Sequence, residues 1–215
     1  MLPPSTVAGV AWGQDASPRQ PAAAGGLLPE LRAATRAQHD RIEQLLALQA
    51  PMPLRRYAAI VLGFQHFLAG WEQELVEALP TRLHGWLAAR SRRRFVAQDV
   101  EFLAAALPVD VMPAAARCLP ALRLAAAFGA LYVIEGSALG GQVITPWLER
   151  DLGLTPGRGA SYFHGFGERT GAMWKEFREL AQAEVGDAPA DRALAVRAAE
   201  QTFEALMLTM APLLR

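Results

Sequence analysis

Apolar residues recur at spacings of three and four through almost the whole chain beyond residue 27, and β-branched alternation never persists. That period belongs to α-helices with one buried face, so the pattern predicts an all-α fold and leaves no material for a sheet. With 215 residues, 52% of them hydrophobic, the chain can fill the core of one domain but hardly of two. There are no internal repeats.

Prolines divide the pattern into segments. A first helix is expected over about Leu28 to Leu48, with Leu28, Leu31, Thr35, His39, Ile42 and Leu46 along one face, closed by Pro51 and Pro53. A second runs from near Leu54 to Pro80, burying residues such as Tyr57, Phe64, Phe67 and Trp71. A shorter third spans about Arg92 to Ala106 and ends at Pro108; a fourth begins near Pro113 and is broken by Pro120. Leu122 to Leu148 then reads as one long helix interrupted by glycines, and Gly153 to Gly159 as a turn. Thr170 is placed to cap a helix that buries Met173, Trp174, Phe177 and Leu180, and a last helix buries Leu194, Ala198, Phe203, Leu206, Met207 and Met210. Residues 1–26, with Pro3, Pro4, Pro18, Pro21 and Gly25-Gly26 but no basic stretch leading into an apolar one, read as a disordered tail before a helical domain at 27–215.

Charge and cysteine usage exclude several classes. Twenty-one basic and 21 acidic residues cancel, so no overall field draws nucleic acid or an anionic membrane. The apolar run Leu124 to Ile134 is about half of the roughly 20 residues a membrane span needs, and reads as a buried helix. One cysteine, Cys118, allows neither an internal disulfide nor a multi-cysteine metal site, and suits a reducing, cytoplasmic setting. Glu-x-x-His pairs on facing helices, which a carboxylate-bridged di-iron bundle needs, do not occur.

Two features carry chemistry. His39 lies on an apolar stripe, with Glu43 one turn on and Arg32 two turns back, so all three fall near one azimuth. A carboxylate at that spacing can take the imidazole's second N–H and leave the other nitrogen for a metal, while the arginine suits a ligand carboxylate. A histidine on an apolar face is also compatible with a plain core role. The second feature is Tyr132 to Val143, where Gly136, Gly140 and Gly141 fall within six positions of an apolar helix. Each costs about 1 kcal/mol of helix propensity relative to alanine. Two uses of the vacated space stand open at this point: approach of a flat ligand to the main chain, or close packing of a second helix.

The segment Leu31-Arg32-Ala33-Ala34-Thr35-Arg36-Ala37-Gln38-His39-Asp40 resembles the proximal helix of heme oxygenases, and Gly136 to Gln142 resembles their distal helix, in the right order and separation. Tyr162-Phe163-His164-Gly165-Phe166-Gly167 with Thr170-Gly171-Ala172-Met173-Trp174 is similar to the bacterial branch that accompanies bacteriophytochromes. The resemblance covers Leu28 to the C-terminus. It implies a single helical bundle holding heme b between a proximal helix and a kinked distal one, and oxidative opening of heme to biliverdin with release of carbon monoxide and ferrous iron. It implies His39 as iron ligand, Glu43 as the partner behind it, Arg32 at a propionate, Thr35, Tyr132 and Phe203 near the heme, and Gly136, Ser137, Gly140 and Gly141 over its distal face. Lys175 and Arg178 are further propionate candidates. Ser137 stands where animal members carry an aspartate; a hydroxyl holds water but brings no charge. Oxygen, an external reductant such as a ferredoxin or a reductase, and a bacteriophytochrome receiving biliverdin, opened at the alpha position, complete what the resemblance implies.

The remaining residues read more plainly. His66, His84 and His164 are expected to be structural or surface groups. The run Arg90-Ser91-Arg92-Arg93-Arg94 reads as a solvated helix start, with docking of an acidic electron donor as its other use. A non-catalytic heme carrier built on the same pocket, and a cofactor-free interaction module, are the competing functions.

Overall fold

The computed structural model describes residues 26–48, 51–107 and 117–215. The expected tail, the helix end at Pro108 and the helix start near Pro113 lie outside these residues. Among the described residues the chain is helical and contains no β-strand: α1 is Leu27–Ala34, α2 Arg36–Leu46, α3 Leu54–Ala78, α4 His84–Ala88, α5 Arg93–Phe102, α6 Leu124–Leu152, α7 Ser161–His164, α8 Thr170–Val185 and α9 Pro189–Met210.

The first predicted helix is divided at Thr35, whose backbone leaves helical geometry (φ −94°, ψ 4°). Its hydroxyl donates to the Leu31 carbonyl at 2.7 Å, a back-bond that bends helices by competing with the main-chain ladder. The long glycine-bearing helix is not interrupted: helical geometry continues from Leu124 through the three glycines and Pro146 to Leu152. It is therefore longer than the sequence pattern suggested, and long and apolar enough in composition to cross a bilayer, but 72% of its most apolar window is buried inside the bundle. Thr170 is the buried first residue of α8 and makes no side-chain cap.

Helix α6 is the axis of the fold. Alanines of α9 (Ala195, Ala198, Ala199) are fully buried against it, and Gly129 makes this possible, since a Cβ there would stand 1.9 Å from the Ala195 carbonyl oxygen. The α3 face that carries Tyr57, Ile60 and Phe64 closes the core from another side, while α1 and α2 lie along α9 and α8 lies along α6. The proximal and distal segments thus come to face each other across the end of α9.

Candidate functional site

A narrow apolar slot opens between α2 and α6. Thr35, His39, Ile42 and Leu46 form one wall, Tyr132, Val133, Ile134, Gly136 and Ser137 the other, and Phe64, Trp174, Phe203 and Leu206 close the ends. Gly136 contributes to the slot's width, since a Cβ there would meet nothing closer than the Trp174 ring at 3.8 Å. It leaves room for a methyl group beside a helical main chain, bounded at ordinary contact distance by the Trp174 ring of α8 and not by backbone.

His39 is the polar centre. Its Nε2 is buried and has no hydrogen-bond partner, an unfavourable state for a nitrogen that a ligand would relieve. Its Nδ1 is 3.8 Å from Glu43 Oε1, too long for a hydrogen bond but close enough to favour a proton on Nδ1 and leave the Nε2 lone pair for a metal. Burial lowers the His39 pKa below 6.5, outweighing the opposite pull of Glu43 and Asp40. The ring is therefore neutral in the physiological range, as a metal ligand must be. Phe203 holds its edge.

Of the residues singled out from sequence, Thr35, His39, Tyr132, Gly136, Ser137 and Phe203 line the slot. Glu43 stands behind His39. Gly141 serves a different contact, because a Cβ there would fall 1.9 Å from the Phe163 carbonyl oxygen; it lets the α7 segment rest on α6. Gly140 is buried but does not line the slot. Arg32 is exposed and reaches His39 only through its field, which lowers the imidazole pKa. Lys175 is exposed, 3.9 Å from Glu179, and Arg178 is half-buried; neither lines the slot.

The basic run is a solvated helix start only at Arg93 and Arg94, which are exposed in the first turn of α5. Arg90 and Arg92 are each 5% exposed and turn inward, behind α6. Arg90 pairs with Glu135 and with Glu176, each at 2.7 Å, and donates to the Met173 carbonyl at 3.0 Å. Arg92 donates to the Ile134 carbonyl. Burial raises the Glu135 pKa, and the two arginines oppose that rise. A buried carboxylate in an apolar helix needs a cation, so Glu135 was the signal that two of these arginines belong inside. Asp99 of α5, fully buried, accepts from the main-chain N–H groups of Ser161 at 2.8 Å and Tyr162 at 2.7 Å. It thereby fixes the α7 segment that Gly141 receives.

A flat group with a metal at its centre fits these walls: one unpartnered nitrogen, apolar and aromatic sides, and bare main chain opposite. The heme oxygenase family profile matches residues 26–211. A heme oxygenase from Xanthomonas campestris pv. campestris (strain 8004) is 35% identical over 149 residues, spanning 68% of this chain and 84% of that protein. The NO- and CO-bound heme oxygenase from Neisseria meningitidis has a similar structure, with a TM-score of 0.66 at 23% identity over 86% of this chain and 92% of that one. Heme oxygenase 2 from Chlamydomonas reinhardtii, solved without heme, gives 0.62 at 16% identity over 87% and 96%. At these identities the structural likeness establishes the fold.

Proposed function

The chain belongs to the heme oxygenase family, and on that premise we propose that it holds heme between His39 and the Gly136–Ser137 main chain and opens it to biliverdin, carbon monoxide and ferrous iron. The observation that carries this reading is the buried, unpartnered Nε2 of His39 on one wall of an apolar slot whose other wall includes Gly136.

When bound, heme supplies both the iron at which dioxygen is reduced and the ring that is oxidised, with electrons from an external donor. The chain's residues supply placement and protons. His39 offers a neutral nitrogen, and Glu43 favours the tautomer that presents it. Phe203 restrains the ring's rotation. Gly136 would keep a Cβ away from the face of a bound ring, and the apolar side chains of Val133, Ile134 and Leu206 would exclude bulk water from it. Ser137 and Tyr132 are the hydroxyl-bearing residues of this wall. The neighbouring carboxylate, Glu135, is committed to Arg90 behind the helix, so proton delivery at the slot rests on hydroxyls such as that of Ser137 and on water, without a strong acid beside the reacting atoms.

Supply of biliverdin, opened at the alpha position, to a bacteriophytochrome is supported by the Tyr162 to Trp174 resemblance, whose residues include a slot wall, Trp174, and the Phe163 carbonyl seated on Gly141. A ferredoxin or reductase is the class of donor the chemistry requires. A cytoplasmic setting agrees with a single, buried, reduced Cys118. Hemin titration followed by aerobic turnover with a reductant, with products separated by chromatography, tests the whole reading. Loss of the Soret band with growth of a red biliverdin band is expected. A Soret band that persists would indicate a heme carrier, and no hemin binding would refute the site.

A further inference from the structure

We propose that Arg92 is a positioning residue for the hydroxyl of Ser137, acting through the Ile134 carbonyl. This rests on the reading of Ser137 as a residue over bound heme.

Arg92 needs an explanation. It is a cation 5% exposed, and the carboxylate beside it, Glu135, already has a 2.7 Å partner in Arg90. Glu72, the other carboxylate whose field Arg92 shares, is held by Ser91 at 2.9 Å, and the Tyr162 ring is 5.8 Å away. Among the described residues, the hydrogen bond that the Arg92 guanidinium makes to a neighbouring helix runs to the main-chain oxygen of Ile134. Ile134 lines both the slot and a small crevice beside Arg90, Arg92 and Glu135.

The same oxygen accepts from Ser137 Oγ at 2.8 Å. A carbonyl oxygen has two lone pairs. Inside α6 the Ala138 N–H takes one by helix geometry, and the charged guanidinium competes for the other, more strongly than a neutral hydroxyl can. The Ser137 bond is thus the weakest of three, and its proton is easily released toward the slot. Without Arg92 the hydroxyl would settle on the freed lone pair and present only acceptor sites to the slot. Arg92 therefore decides whether Ser137 acts there as donor or acceptor, which is the property that a distal hydroxyl lends to protonation chemistry.

The test is the pH midpoint at which water bound to the ferric hemin complex becomes hydroxide, read by absorbance in wild type, Ser137→Ala, Arg92→Gln and the double variant, with hemin affinity and far-UV circular dichroism measured alongside. A hydroxyl that donates stabilises hydroxide, so Ser137→Ala is expected to raise the midpoint by about 0.5–1 pH unit, a three- to tenfold change in the equilibrium. Arg92→Gln should raise it by a similar amount, and the double variant should match Ser137→Ala alone. An Arg92→Gln shift that persists in the Ser137→Ala background would show a through-space charge effect and overturn the proposal, as would no shift at all. Should Arg92→Gln not fold, Arg92→Lys serves: a smaller shift of the same sign, absent in the Ser137→Ala background, is expected, and an equal shift in both backgrounds or none overturns the proposal. If Ser137→Ala alone leaves the midpoint unmoved, it is the placement of Ser137 over the iron that fails, and this inference falls with it.

Discussion

Phe203 meets the imidazole of His39 edge to face, with ring centroids 6.2 Å apart and planes inclined by 73°. One ring from the last helix thereby restrains a ring on the second, and an imidazole that cannot rotate presents one nitrogen in one direction. Phe203→Leu keeps most of the volume and removes the restraint. It should cost ~1 kcal/mol of stability and weaken hemin binding about fivefold, while the Soret band keeps a histidine-ligated form. An affinity equal to wild type in a hemin titration would show that the aromatic edge does not orient the ligand.

Burial sets the sign of the His39 pH dependence. The folded pKa lies below 6.5, burial outweighing Glu43, so as pH falls below 6.5 the unfolded chain takes up a proton that the folded chain resists. The stability His39 allows is full above about 6.5 and is lost as pH drops toward the folded pKa. His39→Gln removes that component along with the proposed histidine ligation of hemin. In urea unfolding of apoprotein at pH 7.5 and 5.5, wild type should lose more stability on acidification than His39→Gln; equal losses would mean that the imidazole is solvated in both states.

The glycines of α6 separate by what a methyl group would meet. At Gly141 a Cβ would stand 1.9 Å from the Phe163 carbonyl oxygen, main chain that cannot move without unseating α7, so Gly141→Ala should destabilise by about 3 kcal/mol or more. At Gly136 the nearest atom is 3.8 Å away. Gly136→Ala should therefore stabilise the apoprotein by up to ~1 kcal/mol through helix propensity. In the proposed heme pose the same methyl would intrude on the ring face, and it should weaken hemin binding about tenfold, equivalent to ~1.4 kcal/mol. Thermal unfolding and hemin titration of both variants would decide it, and parallel behaviour of the two would contradict the division of roles.

That division shows how far the sequence could be read. Period and prolines were sufficient for the helices, because a 3.6-residue stripe and a missing N–H act locally. His39 with Glu43 was legible for the same reason, since their proximity is set within one turn. Gly136 and Gly141 look alike in sequence, and only the path of α7 tells which receives a backbone and which leaves room for a methyl group beside the Trp174 ring. The interruption expected at the glycines does not occur, since a glycine removes a side chain and keeps the main-chain ladder, and the break at Thr35 in the first helix carries no proline or glycine to announce it. Arg90 and Arg92 were read as surface because a run of like charges usually is. Their place beside Glu135 depends on how α5 approaches α6, which no local rule contains.

Arg90 joins the two helices that supply Gly136 and Trp174 to the slot: it pairs with Glu135 of α6 and donates to the Met173 carbonyl of α8, while its guanidinium lies 4.3 Å from the centre of the Trp86 ring. The Arg90 and Glu135 side chains are 3% and 8% exposed, so Arg90→Met strands a buried carboxylate and should destabilise by about 3–5 kcal/mol. Because burial raises the Glu135 pKa, the stranded group escapes its cost by taking a proton, and the deficit should shrink as pH falls. Arg90→Met combined with Glu135→Leu should recover most of the loss. Glu176, 60% exposed, should matter little, within ~1 kcal/mol for Glu176→Gln. Urea unfolding of the four proteins measures these differences, and hemin dissociation rates report whether loosening α6 from α8 opens the slot. A double variant no more stable than Arg90→Met would mean that the arginine acts through Met173 and Trp86, and not by neutralising Glu135.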